Sequence, residues 1–202
     1  MTGLEHGLRA KWEITIMNAF KALPILTCLV SLSAFAAKPN LQPELGEKAC
    51  FERQYTSEHM RANPKQKLSS MYVFVEHKRE VYEGGSYDLK SAKVVGKSKN
   101  DFYMNENAGC DYKTDGSIEC AIECDGGAFE VRPRNGNVLF SVRENYYFPL
   151  YKNGKDQETA EDEDTLSLDA DDKDNAVYKL YPVEPVRCEE ALARAKTGNW
   201  GC

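Results

Sequence analysis

Seven cysteines punctuate this 202-residue chain, and their placement constrains the fold more than any other feature. Cys28 lies in an apolar leader. Cys50, Cys110, Cys120, Cys124, Cys188 and Cys202 all follow Ala34-Phe35-Ala36, a small-x-small pattern that an export peptidase would cut. Met17 opens that leader, Lys21 gives it one positive charge, and the apolar run over residues 23–35 is about thirteen long, short of the roughly twenty needed to cross a bilayer core. Residues 17–36 therefore read as a signal peptide with cleavage near Ala36. Residues 1–16 read as an upstream extension, and residues 37–202 as one disulfide-stabilised domain destined to be periplasmic or secreted. An even set of thiols in an oxidising compartment is a disulfide framework. Zinc is the competing use of Cys120-x3-Cys124, but only His59 and His77 would accompany it.

Six cysteines allow fifteen pairings, and geometry prunes them. If Cys120 and Cys124 share a strand, their α-carbons stand about 13 Å apart at roughly 3.3 Å per residue, too far for a disulfide. Cys110 and Cys120 flank Asp115-Gly116, a hairpin reversal signal, so a bond across that hairpin is expected. Cys50, Cys124, Cys188 and Cys202 would then tie both ends of the domain to its body. Trp200, between Cys188 and Cys202, is expected to pack against the sheet.

Between the cysteines the chain reads as strands divided by turn residues. Residues 67–77 put Met71, Val73 and Val75 on one face and Tyr72 and Phe74 on the other, which predicts a strand buried on both faces. Gly84-Gly85 breaks that strand, residues 87–95 give the next, and 102–104 a short one. Residues 117–142 predict a three-strand meander with Asn135-Gly136 at its second turn. Residues 146–151 continue the sheet at an edge or bend because of Pro149, and 177–183 form the last strand. Residues 189–196, followed by Gly198, predict a helix, and residues 58–62 a shorter one. The expected fold is mostly β: an antiparallel meander closed into a small barrel or packed as a sandwich, calycin-like as one option, with a short C-terminal helix. A barrel of about eight strands either fills itself with side chains or holds one small ligand. The aromatic residues, Phe129, Phe140, Phe148 and Tyr151 among them, suit either outcome, ordinary core packing being the commoner.

The chain carries 26 Lys and Arg against 32 Asp and Glu, a net charge of −6. That balance argues against nucleic acid as a partner and suits a basic protein. Residues 155–175 read as an acidic loop in which Asp169, Asp171, Asp172 and Asp174 are candidate ligands for weak calcium or a partner. The register fails as a helix-loop-helix calcium motif, since Lys173 and Asp174 fall where a ligand and a glycine belong, so a solvated loop is the simpler reading. Glu119 and Glu123 would project from one strand face as a carboxylate pair. No nucleophile elbow, Cys-His signature or Cys-x-x-Cys accompanies them, and the sequence points away from catalysis and from any cofactor.

Cys50 with Arg53-Gln54-Tyr55, Glu58-His59-Met60 and Asn63-Pro64-Lys65-Gln66, then Glu123-Cys124-Asp125-Gly126-Gly127, Asp171-Asp172, Val177-Tyr178-Lys179-Leu180 and Cys188, resemble a group of uncharacterised exported bacterial proteins. The resemblance implies a bacterial periplasmic or secreted setting and brings no activity. The function expected is non-enzymatic binding of a small apolar molecule or a protein partner. A lysozyme inhibitor is one specific version, because small disulfide-bonded inhibitors of basic lysozymes resemble this chain in size, export and acidity, and Gly85-Ser86-Tyr87 is similar to part of their inhibitory loop. A cell-envelope hydrolase using Glu119 and Glu123 is the alternative.

Overall fold

A computed structural model describes residues 40–99, 101–123, 126–153, 155 and 159–197. Ten strands follow in chain order: β1 Lys48–Gln54, β2 Ser70–Tyr82, β3 Gly85–Ser98, β4 Asp101–Tyr112, β5 Ile118–Ala121, β6 Ala128–Arg134, β7 Asn137–Val142, β8 Tyr147–Lys152, β9 Thr165–Asp169 and β10 Val177–Val183. Helix α1, Ser57–Ala62, lies between β1 and β2, and α2, Pro185–Thr197, follows β10. Each strand from β1 to β6 pairs antiparallel with the next, β7 pairs with β10, and β10 returns to β1. Eight strands thus close an up-and-down barrel with β8 and β9 inserted as a hairpin, and closure leaves the ring without a free edge.

The interior follows from period-two alternation. Phe51, Met71, Val73, Val75, Ala92, Val94, Ile118, Phe129, Val131, Phe140, Tyr178 and Leu180 point inward in one continuous core. Phe129 stacks on Phe140 at 4.8 Å and meets Phe148 edge-on at 4.7 Å, so aromatic rings occupy the barrel axis. Burial pushes the Tyr178 hydroxyl's pKa well up, and that hydroxyl donates to Asn175. The barrel is filled by its own side chains, the first of the two outcomes open to a ring of this size.

Both ends are covered. At one, the β8–β9 hairpin lies across the opening with Phe148, Leu150 and Leu168 fully buried. There Leu150 packs against Gly96, where an added Cβ would sit 3.1 Å from its Cδ1. Pro149 was expected at an edge or bend. Instead β8 lies between β4 and β9, but its ladder to β4 covers only Tyr151 and Lys152, so the missing proline N–H falls beyond it. The Asn105 amide donates to the Pro149 carbonyl, an acceptor that also lies beyond that ladder. At the other end the segment leading into β1 seats Leu41 in the core. The Gln42 amide donates to the carbonyls of Lys113 and Ser117, and His77 Nδ1 donates to Pro43.

Helix α2 packs outside the barrel on the second face of β2, where Tyr72 and Phe74 meet Ala191, Leu192 and Ala195. The two-faced burial of β2 thus has two causes, barrel interior and helix. A Cys50–Cys188 disulfide closes this contact, and Arg187 makes a bidentate pair with buried Glu52. The helix begins one turn before the expected residue 189, because Pro185 is pre-set for a first helical position. Two other expectations change. The short strand at 102–104 is the start of the twelve-residue β4, held by β3 on one edge and by β5 and β8 on the other. Residues 155–175, expected as an acidic loop, contain a 3-10 turn at Asp162–Asp164 and β9, whose Leu168 is fully buried.

Candidate functional site

The β2–β3 hairpin is longer than the barrel requires. Its thirteen cross-strand pairs run from Ser70 opposite Lys97 to Tyr82 opposite Gly85, yet β1 accompanies β2 only as far as Glu76 and β4 accompanies β3 only from Ser91 onward. The distal half therefore stands clear of the ring with both edges unpaired by strands. Gly84 makes the reversal at φ +111°, a conformation that glycine adopts freely.

Charge and shape at this projection are separate. Along the shaft, Arg79 pairs with Asp88 at 2.8 Å and Lys78 with Glu80, so charged residues blunt the free edges and neutralise one another. The hydrogen bond from Arg79 holds the Asp88 carboxyl below its usual range, and the Glu80 contact raises the Lys78 ammonium. At the tip, around exposed Glu83 and Ser86, large side chains are exposed: Val81 is 78% exposed, Tyr82 58% and Tyr87 53%. The two tyrosine rings lie 6.1 Å apart on one face, and Tyr82 folds over Gly85, where an added Cβ would meet its hydroxyl at 3.0 Å. Tyrosine exposed in this way gives large, stiff contact area at small entropic cost.

The hairpin root is flanked by two clefts. One, of about 640 Å³, runs along Leu89, Ser91, Lys93, Glu106 and Ile122. It lies where the β3–β4 register shifts between Ala92 and Val94, and Glu106 there pairs with Lys196 of α2. Such irregularities re-aim side chains. The second cleft, of about 500 Å³, opens where β3 and β4 part beyond Ser91 and Gly109, between Leu89 and Lys90 on one side and Cys110 and Asp111 on the other. Lys90 there sits 4.7 Å over the Tyr112 ring, whose hydroxyl pKa is pushed up to about 12 by burial.

The residues singled out from sequence fall elsewhere. Cys110 and Cys120 form the expected bond across the hairpin, and Cys50 joins Cys188. Cys124, Cys202 and Trp200 lie outside the described residues, as do the leader and the extension before it. Asp169 and Asp172 converge on Lys67 at 3.5 and 3.2 Å, while Asp171 and Asp174 are exposed. Burial raises the Asp172 pKa, but hydrogen bonds from Asn175 and Lys67 outweigh it and hold the carboxyl below its usual range. This cluster joins β9 to the loop before β2. Among the described residues, no group of three or more His, Cys, Asp or Glu is arranged to hold a metal ion. Glu119 lies on the outer wall paired with Lys113 at 2.9 Å, whereas β5 ends at Ala121, so Glu123 leaves the strand face that the two were expected to share. His59 stacks on Tyr55 and bonds Gln66, a local structural role. Gly85-Ser86-Tyr87 begins β3 at the exposed tip.

Sequence reasoning missed the free hairpin. Its signal was present in the Val81, Tyr82 and Tyr87 pattern around Gly84, but the point where β1 and β4 stop pairing is a long-range fact. No helix among the described residues is long and apolar enough to cross a membrane. No family model, curated protein or solved structure matches the chain.

Proposed function

We propose that this chain is an exported, non-enzymatic binding protein that recognises a protein partner with its β2–β3 hairpin. One observation carries the reading: the barrel interior is occupied by Phe129, Phe140, Phe148 and Tyr178 with both ends covered, while Val81, Tyr82 and Tyr87 stand exposed on a projection the barrel does not need. A carrier of small apolar molecules wants the opposite distribution, with space inside and a quiet surface. Aromatic anchors framed by neutralised charges match the composition of protein-binding hot spots. The net charge of −6 favours a basic partner through long-range steering. A basic lysozyme is the specific partner to try first, since Gly85-Ser86-Tyr87 belongs to the tip.

The test is site-specific photo-crosslinking in an expressing bacterium, with a benzophenone amino acid at position 82 or 87 and, as control, at Lys179, exposed on the outer wall of β10 away from the tip. A discrete protein adduct from positions 82 and 87 but not from 179 is the expected result. With that partner purified, Y82A/Y87A should weaken binding at least tenfold, and binding should fall as salt is added. Equal crosslinking at all three positions, or none at the tip, would refute the proposal.

A further inference from the structure

Where β3 and β4 separate, the sheet is split along its backbone. The last pairs before the split are Ala92 with Ala108 and Ser91 with Gly109. Beyond them β3 extends to Gly85 and β4 to Tyr112 with no ladder between them. The direction of each backbone group follows from alternation along a strand. The N–H and C=O of His77 meet Glu47 and Gly46 on the β1 side, so Lys78, Glu80 and Tyr82 turn theirs toward β3. The register sets those three opposite Leu89, Tyr87 and Gly85. Ser86, Asp88 and Lys90 therefore direct their N–H and C=O away from β2 and into the split. On the other lip, the Lys113 N–H donates to the Ser117 carbonyl and Asp111 lies opposite Glu119, which turns the backbone groups of Cys110 and Tyr112 away from β5 and into the same space. No turn or loop backbone group among the described residues bonds to any of these five.

The split is the cleft of about 500 Å³ at the hairpin root. His77, in its lining, donates through Nδ1 to Pro43, which leaves Nε2 as an acceptor; that atom is buried and has no hydrogen-bond partner among the described residues. Asp88 is held by Arg79, and Lys90 lies over the Tyr112 ring. Asp111 on the β4 lip is exposed, and its neighbour Lys113 is engaged by Glu119 at 2.9 Å. The paired charges of the shaft project from the two faces of the hairpin, so they deter indiscriminate edge pairing while the backbone groups of the edge remain accessible.

We propose that this split takes an extended, basic segment of the protein partner, which adds as a strand to the β3 edge at Ser86, Asp88 and Lys90 and sets a cation beside Asp111. In strand addition of this kind main-chain hydrogen bonds supply affinity and alternate side chains supply specificity. The inference rests on the role proposed for the hairpin and specifies how its partner is held.

The experiment selects random twelve-residue peptides by phage display on the immobilised oxidised protein and follows amide exchange by ¹H–¹⁵N NMR. In the free protein Ser86, Asp88 and Lys90 should exchange faster than Tyr87 and Leu89. A bound peptide should carry Lys or Arg and slow exchange at 86, 88 and 90 at least tenfold, an every-second-residue pattern that docking on side chains alone would not produce. S86P removes one outward N–H without touching the ladder to β2 and should weaken the peptide at least tenfold, whereas S86A should bind as the wild type does, with the thermal midpoints of both as folding control. D111K leaves the backbone intact and should weaken the peptide at least threefold. The proposal is overturned if no peptide is retained, if bound peptides leave exchange at 86, 88 and 90 unchanged, or if either S86P or D111K binds as tightly as the wild type. Crosslinking through positions 82 and 87 decides the role of the hairpin independently, so a partner captured there without protection of the β3 edge would sink strand addition alone.

Discussion

Removal of the two disulfides should cost unequal amounts, and the inequality follows from topology. Cys50 and Cys188 are 138 residues apart, whereas Cys110 and Cys120 are 10 apart. In the chain-entropy treatment the denatured chain loses loop freedom as the logarithm of loop length, which gives about 5 kcal/mol for the long loop and about 2.7 for the short one. The barrel alone cannot substitute for the long link, because α2 follows the last strand and covers Tyr72 and Phe74 only while it stays docked. C50A/C188A and C110A/C120A should be compared with wild type by urea unfolding, followed by tryptophan-independent far-ultraviolet circular dichroism. The long-loop variant should lose roughly 2 kcal/mol more than the short-loop variant, and thermal melts should show a corresponding gap of about 4–8 °C for a domain of this size. Amide exchange should also accelerate along α2 in C50A/C188A and remain slow there in C110A/C120A. An equal or reversed cost would refute the assignment of closure to the Cys50–Cys188 link.

Three further outcomes are expected. Replacing Arg187 by Met leaves the Glu52 carboxylate buried without its cation and should destabilise by about 2 kcal/mol at pH 7. In the wild type, burial raises the Glu52 pKa but the Arg187 and Gln54 hydrogen bonds outweigh it and hold it below 4.5. That contribution is present above the unfolded value and lost as pH falls through the folded one, so the gap between R187M and wild type should narrow in acid; chemical melts at pH 7 and pH 4 check this. G127A should be more damaging than G96A, because the added Cβ at Gly127 meets the Tyr147 backbone carbonyl at 1.8 Å and the residue holds φ +90°, whereas at Gly96 it meets only Leu68 and Leu150 side chains. Thermal melts should put G96A about 1–3 kcal/mol below wild type and G127A below that. Phe140→Ala empties the ring cluster on the barrel axis and should cost about 3–5 kcal/mol in the same assay.

Where the fold was legible in the sequence, the signal was local. The alternation through Met71–Val75 marked both faces of β2, Asn135-Gly136 marked the turn that now carries φ of 48° and 78°, and Asp115-Gly116 predicted the bond between Cys110 and Cys120. Residues 105–109, Asn-Glu-Asn-Ala-Gly, have little strand propensity, and they are extended because β3 pairs with Asn105, Ala108 and Gly109 and β5 joins on the other edge at Gly109. In β9 the alternation Thr165-Leu166-Ser167-Leu168-Asp169 was present, but the surrounding carboxylates outweighed it in a charge-based reading. The site was less legible than the fold. Tyr82 and Tyr87 read equally well as core residues, and where β1 and β4 stop pairing with β2 and β3 is set by long-range contacts that no local spacing shows.

The barrel is filled by its own side chains, and the recognition proposed here takes place outside it. Native mass spectrometry of the oxidised protein recovered from an expressing cell tests it most directly. The expected spectrum has no small molecule held inside the barrel, and any protein adduct should vanish in Y82A/Y87A. A small apolar molecule that stays bound in Y82A/Y87A and is released only on denaturation would contradict it.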